Sequence, residues 1–444
     1  MLKKRLLQVG SVILVAAMVF SAAACGTGGN GEPDPSDGNG VAPDEPIVLS
    51  FLHVFSGPRG EAMDLIVQGF NDSQDRIIVE HEHVPGWYGG LLEQLQTLAV
   101  ANQTPDLTIM GLSGHNFLME GLGAVSMASY IEQDNFDLDD FFPQMLSLGF
   151  DADGNQFALP FAISTPLLYA NIDLLEEVGL SYVDQPETWT DIRSWAKTIS
   201  DGTDADGVAF QLDFDTWQFQ MLLETHGGQM ADLDNQEILF DGEAGRRVMD
   251  LWLGMKHEDG SWPNMSGGEA AENFLNGDLG MITATTGNLT AFTAGADFNM
   301  GIMLLPLYDD AQNRNPRVIP AGGSNIYILP SEAAREAAAW EFVKYAMSPE
   351  AGAIIVEGMG YMAARESLLD EGGLLSDYIA QNPQATRSYD QVVDLSDWFN
   401  WPGVTGARID SIFLANFEEA FLQQKTGEEV LDDVADEVRT ILGW

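Results

Sequence analysis

Beyond residue 46 the chain alternates between two hydrophobic rhythms. Ile47-Val48-Leu49-Ser50-Phe51-Leu52 is a short apolar run that stops at Ser56-Gly57-Pro58, the pattern of a buried strand closed by a turn. Ala62 to Phe70 has helical spacing, Ile77 to His81 is a second strand, Leu91 to Val100 a second helix, and Asp106 to Met110 a third strand. Strand-helix-strand-helix-strand predicts an α/β lobe on a mostly parallel sheet, whose ligands sit beyond the strand C-termini. A second αβ stretch runs from Phe157 to about Ala284, and helical patterns at Glu332–Met347, Ala351–Glu357 and Ser411–Gln424 fill the C-terminal part. With 444 residues the chain exceeds one α/β core, so two lobes are expected.

The first 46 residues follow neither rhythm. Lys3, Lys4 and Arg5 precede an apolar run from Val12 to Phe20, followed by Ser21-Ala22-Ala23-Ala24-Cys25. That is a charged segment, a short apolar core and small residues at a cleavage point, too short to span a membrane comfortably. The chain's one cysteine directly follows the small residues and resembles the acylated cysteine of a bacterial lipoprotein signal, although Ala22 stands where leucine is usual. Residues 1–24 are read as a removed signal peptide and Cys25 as the lipidation site. Residues 25–46 then form a flexible tether of Gly, Pro, Asp, Asn and Ser. An exported body held to the cell membrane by its lipid is expected, on the periplasmic or extracytoplasmic side.

Charge narrows the partners. Acidic residues number 68 against 19 basic ones, for a net charge of -49, and the predicted cleavage would remove three basic residues and no acidic one. Phosphate backbones need a cationic face, so nucleic acid is excluded as a partner. The surface reads as heavily solvated, suited to a saline or alkaline habitat. A single cysteine excludes internal disulfides. No nucleotide-binding G-x-x-x-x-G-K-[ST] loop occurs. Gly111-Leu112-Ser113-Gly114-His115 misses the nucleophile elbow, because His115 stands where a glycine is required. His81 and His83 share a strand face without an obvious third ligand, and Asp151–Asn155 reads as an acidic turn rather than a calcium loop. Neither a metal nor a cofactor is expected, nor an enzyme.

Several segments in order, each weak alone, resemble the substrate-binding proteins of ABC importers, in the large maltose-binding type. They are Trp87-Tyr88 with Leu91–Thr97 and Thr104-Pro105-Asp106; Leu159-Pro160-Phe161 with Ser164–Asn171; Pro186-Glu187-Thr188-Trp189; Phe274–Met281; Ala321-Gly322-Gly323-Ser324-Asn325; and Gly360–Arg365. Within that type, Thr283–Leu289 resembles the Thr/Ser-rich ligand loop of the glycerol-3-phosphate-binding branch, and Gly403–Arg408 the loop carrying its phosphate-binding arginine. The resemblance implies a two-lobed periplasmic-binding-protein fold of the α/β class, with discontinuous lobes, a hinge and a central ligand cleft. One lobe is expected from residues 47–160 plus 285–360, the other from 161–284 plus 361–444, crossing near Pro160–Thr165, Thr283–Thr286 and Gly360–Tyr361.

The same resemblance implies the site. Arg408 would fork onto phosphate oxygens. Tyr88 and Tyr361 would add hydroxyls, Thr285 or Thr286 another, and Gly323 a backbone N–H, while Ser164 and Trp217 would lie nearer the glycerol. The branch's glutamate after the third strand is replaced by Leu112, with Ser113 adjacent as a substitute acceptor, and a second tryptophan is replaced by Phe214. The ligand expected is glycerol-3-phosphate or a glycerophosphodiester, captured by a monomer that delivers it to membrane permease subunits. A neutral oligosaccharide in the same fold, a secreted hydrolase and an adhesin are the competing readings.

Overall fold

A computed structural model describes residues 45–211, 216–306 and 318–444. Residues 45–444 form one compact unit with two sheets, each with its own hydrophobic core. In the first sheet, β1 (Ile47–His53), β2 (Ile77–His83) and β3 (Leu107–Gly111) run parallel, in the order β2-β1-β3. β4 (Ala158–Ser164) crosses over after one intervening residue into β5 (Pro166–Asn171) of the second sheet. There β6 (Asp206–Phe210) lies parallel to β9 (Leu279–Thr285), and β5 lies between β9 and β10 (Met300–Met303), antiparallel to both. A small hairpin, β7 (Ala231–Asp232) and β8 (Glu237–Ile238), sits at its periphery. β11 (Ile319–Pro320) leads directly into β12 (Gly322–Ile328), which returns to the first sheet between β3 and β4; β13 (Leu395–Ser396) pairs with β11.

The lobes are therefore discontinuous, and the crossing expected near Thr283–Thr286 lies elsewhere. Residues 285–360 were assigned to the first lobe, with a crossing near Thr283–Thr286. β10 instead pairs with β5, and Leu289, Phe292, Ile302, Leu305 and Ile319 pack in the second core. The chain returns to the first sheet only at the β11–β12 junction. A four-residue strand of the composition Met-Gly-Ile-Met, far from its partner in sequence, carries too weak a period to show which sheet it joins.

Local rules explain the helix starts. The helix Pro58–Ser73 begins with proline at its first turn after Gly57, whose φ is +57°. Thr188 caps the helix Trp189–Gly202 through a capping box with Asp191, which accounts for the Pro-Glu-Thr-Trp segment, and Ser266/Glu269 and Thr426/Glu429 repeat the device. Phe51, Phe70, Trp340 and Phe342 belong to the first core; Trp189, Phe219, Trp252, Trp262, Phe413 and Phe417 to the second. A smaller cluster of Leu112, Met145, Leu148, Ile163, Ala321, Met362 and Val392 packs where the chain passes between the lobes.

Among the described residues no helix is long and apolar enough to cross a membrane, and no group of three or more His, Cys, Asp and Glu could hold a metal ion. The His81 ring meets His53 at 2.9 Å and Asp64 at 3.4 Å, while His83 is exposed. Asp151 closes its own turn, accepting from the backbone N–H groups of Asp153 and Asn155. Cys25 and Phe214 lie outside the described residues.

Candidate functional site

Tyr88 stands in the first turn of the helix Trp87–Val100, which begins four residues before the Leu91 start that its apolar spacing predicts. Its ring lies on the end of β3, where a Cβ on Gly111 would come within 2.8 Å of it; glycine there is what lets the tyrosine lie flat. The Tyr88 hydroxyl is buried without a hydrogen-bond partner, beside the hydroxyls of Ser324 and Tyr361 and near the Arg59 guanidinium. Burial, and then Tyr361, push its pKa well above the ordinary tyrosine value, and burial raises that of Tyr361. Both rings stay neutral and can donate at any physiological pH.

A cavity of about 500 Å³ opens beside Tyr88, lined also by Ser113 and Arg408. Ser113 sits on the short turn Leu112–Gly114 that ends β3. Arg408 comes from the second lobe, in the first turn of the helix Gly406–Phe421; the loop expected to carry it is already helical there. Its side chain is exposed and makes no ion pair among the described residues, whereas Arg193, Arg335, Arg365 and Arg439 each hold a carboxylate. Glu93 and Asp410 also line the cavity.

A larger cavity of about 790 Å³ adjoins it, and Asn116 and Asn400 line both. They also tie the lobes together between the cavities: Asn116 Nδ2 donates to the Trp401 carbonyl at 3.1 Å and Asn400 Nδ2 to the Leu112 carbonyl at 3.0 Å. The larger cavity carries Trp398, Phe399, Glu224 and Asp397. Glu224 accepts from Gln220 at 2.7 Å and Ser396 at 2.8 Å, yet burial, with Asp397 nearby, pushes its pKa up to about 7. Burial also raises the Asp397 carboxyl. Trp398 stacks on Trp217, with ring centroids 5.7 Å apart.

The remaining expected residues are near this region but engaged. Trp217 is buried and donates its indole N–H to the carbonyls of Pro320 and Ala321, each at 3.1 Å. A Cβ on Gly322 would meet both Trp217 and Ser164 at 2.8 Å, so that glycine packs the two together. Gly323 has φ +91°, and a Cβ there would strike the Ala162 carbonyl, so the strand crossing alone demands glycine. Thr285 accepts from the N–H of Gly287, and Thr286 exchanges bonds with Thr165 across the β4–β5 crossing. Both hydroxyls serve the hinge backbone. Leu112 is buried in the inter-lobe cluster and presents an apolar wall.

Sequence reading missed Arg59, Ser324, Glu224 and Trp398. Arg59 carried a signal: it follows the Gly57-Pro58 turn at the C-terminal end of β1, where ligands of parallel sheets bind. Ser324 lies within the Ala321–Asn325 segment, but only the structure shows its hydroxyl buried and without a hydrogen bond of normal geometry.

Comparison with known proteins agrees with this architecture. The profile of the bacterial extracellular solute-binding protein family matches residues 66–387. The sn-glycerol-3-phosphate-binding periplasmic protein UgpB of Yersinia pestis is 26% identical over 372 residues, covering 78% of this chain and 80% of that protein. UgpB of Salmonella typhimurium is 24% identical over 422 residues, covering 89% and 92%. Among solved structures, UgpB from Mycobacterium tuberculosis in complex with glycerophosphocholine superposes with TM-score 0.78 at 22% identity, covering 89% of this chain and 98% of that one. The cyclic alpha-maltosyl-1,6-maltose binding protein from Arthrobacter globiformis superposes with TM-score 0.75 at 21% identity, covering 89% and 99%. The chain belongs to the bacterial extracellular solute-binding proteins, the ligand-binding components of ABC importers, with the two-lobed fold of the maltose-binding type.

Proposed function

We propose that this protein captures glycerol-3-phosphate or a related glycerophosphodiester between its lobes and delivers it to a membrane permease, binding without turnover. The observation that carries the reading is the buried Tyr88 hydroxyl, unpartnered and bordering the cavity that Arg408 enters from the other lobe. A buried donor without an acceptor costs about 1–3 kcal/mol, which an anionic oxygen would recover. Arg408, lacking a carboxylate in so acidic a chain, is the matching fork. The UgpB relatives, named for glycerol-3-phosphate, support the same ligand class. Closure then shifts an open–closed balance by the ligand's differential affinity for the two states. Acylated Cys25 and the tether behind it would hold the body at the membrane, and a monomer suffices for delivery.

A second reading has its own support. The larger cavity, with an indole face on Trp398 and carboxylates on Glu224 and Asp397, has the chemistry of a neutral sugar site. Calorimetry of glycerol-3-phosphate, glycerophosphocholine and maltose against the purified protein separates the two. Binding of either phosphate ester with no response to maltose is expected. Tight maltose binding without a response to phosphate esters would replace the first reading by the second.

A further inference from the structure

Arg59, near Tyr88, is a second arginine that pairs with no acid among the described residues. It projects from the first turn of the helix Pro58–Ser73, and its guanidinium lies 5.3 Å from the Tyr361 ring centroid and 5.6 Å from that of Trp87. Nε donates to the Met359 carbonyl at 3.2 Å and one terminal nitrogen to the Gly287 carbonyl at 2.6 Å. The second terminal nitrogen makes no hydrogen bond, and no described carboxylate lies within ion-pair distance. Two neutral carbonyls orient the group without cancelling its charge. The buried hydroxyls of Tyr88 and Ser324 face each other close by, with no hydrogen bond of normal geometry from either to a described group. Trp87, half exposed over the guanidinium, holds a φ of +54°, a strained conformation for a bulky residue that persists only when its surroundings enforce it.

From this convergence we infer that Arg59 and Ser324 are ligand-binding residues: together with Tyr88 they form a first-lobe pole that grips the ligand's anionic group opposite Arg408. The inference rests on the phosphate-ester reading above and sharpens it. The cleft holds the anion from both lobes, so the charge itself contributes to closure. Arg59 offers its free terminal N–H groups, Tyr88 and Ser324 offer O–H donors, and Trp87 covers the guanidinium and limits its hydration. A phosphate mono- or diester supplies the several acceptor oxygens such a donor set needs. A neutral sugar would leave the Arg59 charge uncompensated.

The test is calorimetry of glycerol-3-phosphate and maltose with wild type, Arg59→Gln, Ser324→Ala and Arg408→Ala, at two salt concentrations, with ligand-free melting temperatures alongside. Glutamine can still donate to one of the carbonyls that Arg59 holds. Arg59→Gln is expected to weaken glycerol-3-phosphate binding tenfold or more and to reduce its salt dependence. Ser324→Ala is expected to weaken it several-fold while leaving the ligand-free melting temperature unchanged or higher, because it removes an unsatisfied hydroxyl. That pairing is not what a purely structural serine would give, and it keeps the inference testable should Arg59→Gln fold poorly. Wild-type binding of glycerol-3-phosphate with full affinity retained in Ser324→Ala and Arg59→Gln overturns the inference and leaves the functional reading standing. Wild type that binds maltose but no phosphate ester overturns both.

Discussion

The two cavities on either side of the Asn116–Asn400 contact are built from the same lobes but differ in chemistry. The smaller is bordered by Tyr88, Ser113 and Arg408 together with the carboxylates of Glu93 and Asp410, with Arg59 beyond the tyrosines. The larger has no lysine or arginine among its described lining residues and is lined by Glu120, Asp151, Asp153, Glu224 and Asp397 around Trp398 and Phe399. An anion entering the larger cavity would meet like charge, whereas a hydroxylated or cationic group would find acceptors and aromatic faces there. In the smaller cavity Arg408 and Tyr88 offer donors to an anion, against the carboxylates of Glu93 and Asp410 in the same lining. The amides between them serve the backbone: Asn400 donates to the carbonyls of Leu112 and Trp398 and accepts from the Asn116 N–H, and Asn116 donates to the Trp401 carbonyl. On the proposed reading the cleft would sort a ligand by polarity along its length, with a phosphate ester carrying a polar alcohol or a cationic head matching both ends.

The most severe way to break this contrast is Arg408→Ala. Truncating one partner of a desolvated charge pair costs about 2–5 kcal/mol, so glycerol-3-phosphate should bind at least about thirtyfold more weakly by calorimetry. Because Arg408 is exposed and without an ion pair, the ligand-free melting curve should stay within about 0.5 kcal/mol of wild type. Arg408→Lys should bind poorly as well, since a point charge replaces a fork. Unchanged affinity in the alanine variant would move the anion out of the smaller cavity.

Tyr88→Phe comes next. Losing a hydrogen bond to a charged group costs about 1.5–3 kcal/mol, so affinity for the phosphate ester should fall tenfold or more. Without ligand the hydroxyl is buried and unpartnered, and removing it should leave thermal stability unchanged or slightly improved. A variant that melts lower and binds equally well would make Tyr88 a packing residue.

How much of this was legible in the sequence depends on how local the cause is. The first three strands and the helices between them follow from their own apolar spacing, and the structure extends them by a turn at most. The Tyr88–Arg408 pairing came from resemblance, since no local pattern relates residues that far apart. The second crossing was misplaced because the strand Met300–Met303 joins its sheet through a partner more than a hundred residues away. Arg408 was placed in a loop because Gly403 and Gly406 mask the helix start, which has no side-chain cap. The acidic cavity was invisible for a different reason: with 68 carboxylates in the chain, nothing in the sequence marks Glu224 and Asp397 as the two that burial perturbs.

Trp398→Ala probes the larger cavity at a milder level. Aromatic contacts are worth about 0.5–1.5 kcal/mol, so a few-fold to tenfold loss is expected for glycerophosphocholine and little change for glycerol-3-phosphate. The Trp217 stack is also lost, and a lower melting temperature should accompany it. Equal losses for both ligands would mean that the two cavities do not divide the ligand.

The smallest effect is one of pH. Folded Glu224 has its pKa pushed up to about 7 from an ordinary 4.5, first by burial and then by Asp397, against the bonds from Gln220 and Ser396. The folded state therefore holds a proton that the unfolded chain has released. Its contribution to stability is fully present below pH 4.5 and is lost as pH rises through about 7. The wild-type melting temperature should fall between those limits, and Glu224→Gln should fall less steeply across the same window. Asp397, raised by burial, titrates in the same sense, so some slope should remain in the variant. A cationic group in the larger cavity would favour ionised Glu224, so glycerophosphocholine, whose phosphodiester does not titrate here, should tighten as pH rises through this window in wild type but not in Glu224→Gln. Both proteins are measured in one buffer series, which cancels effects common to the whole acidic surface. Parallel melting curves for wild type and Glu224→Gln would show that this carboxyl titrates normally. An identical pH response of glycerophosphocholine binding in the two proteins would show that the larger cavity does not receive the cationic head.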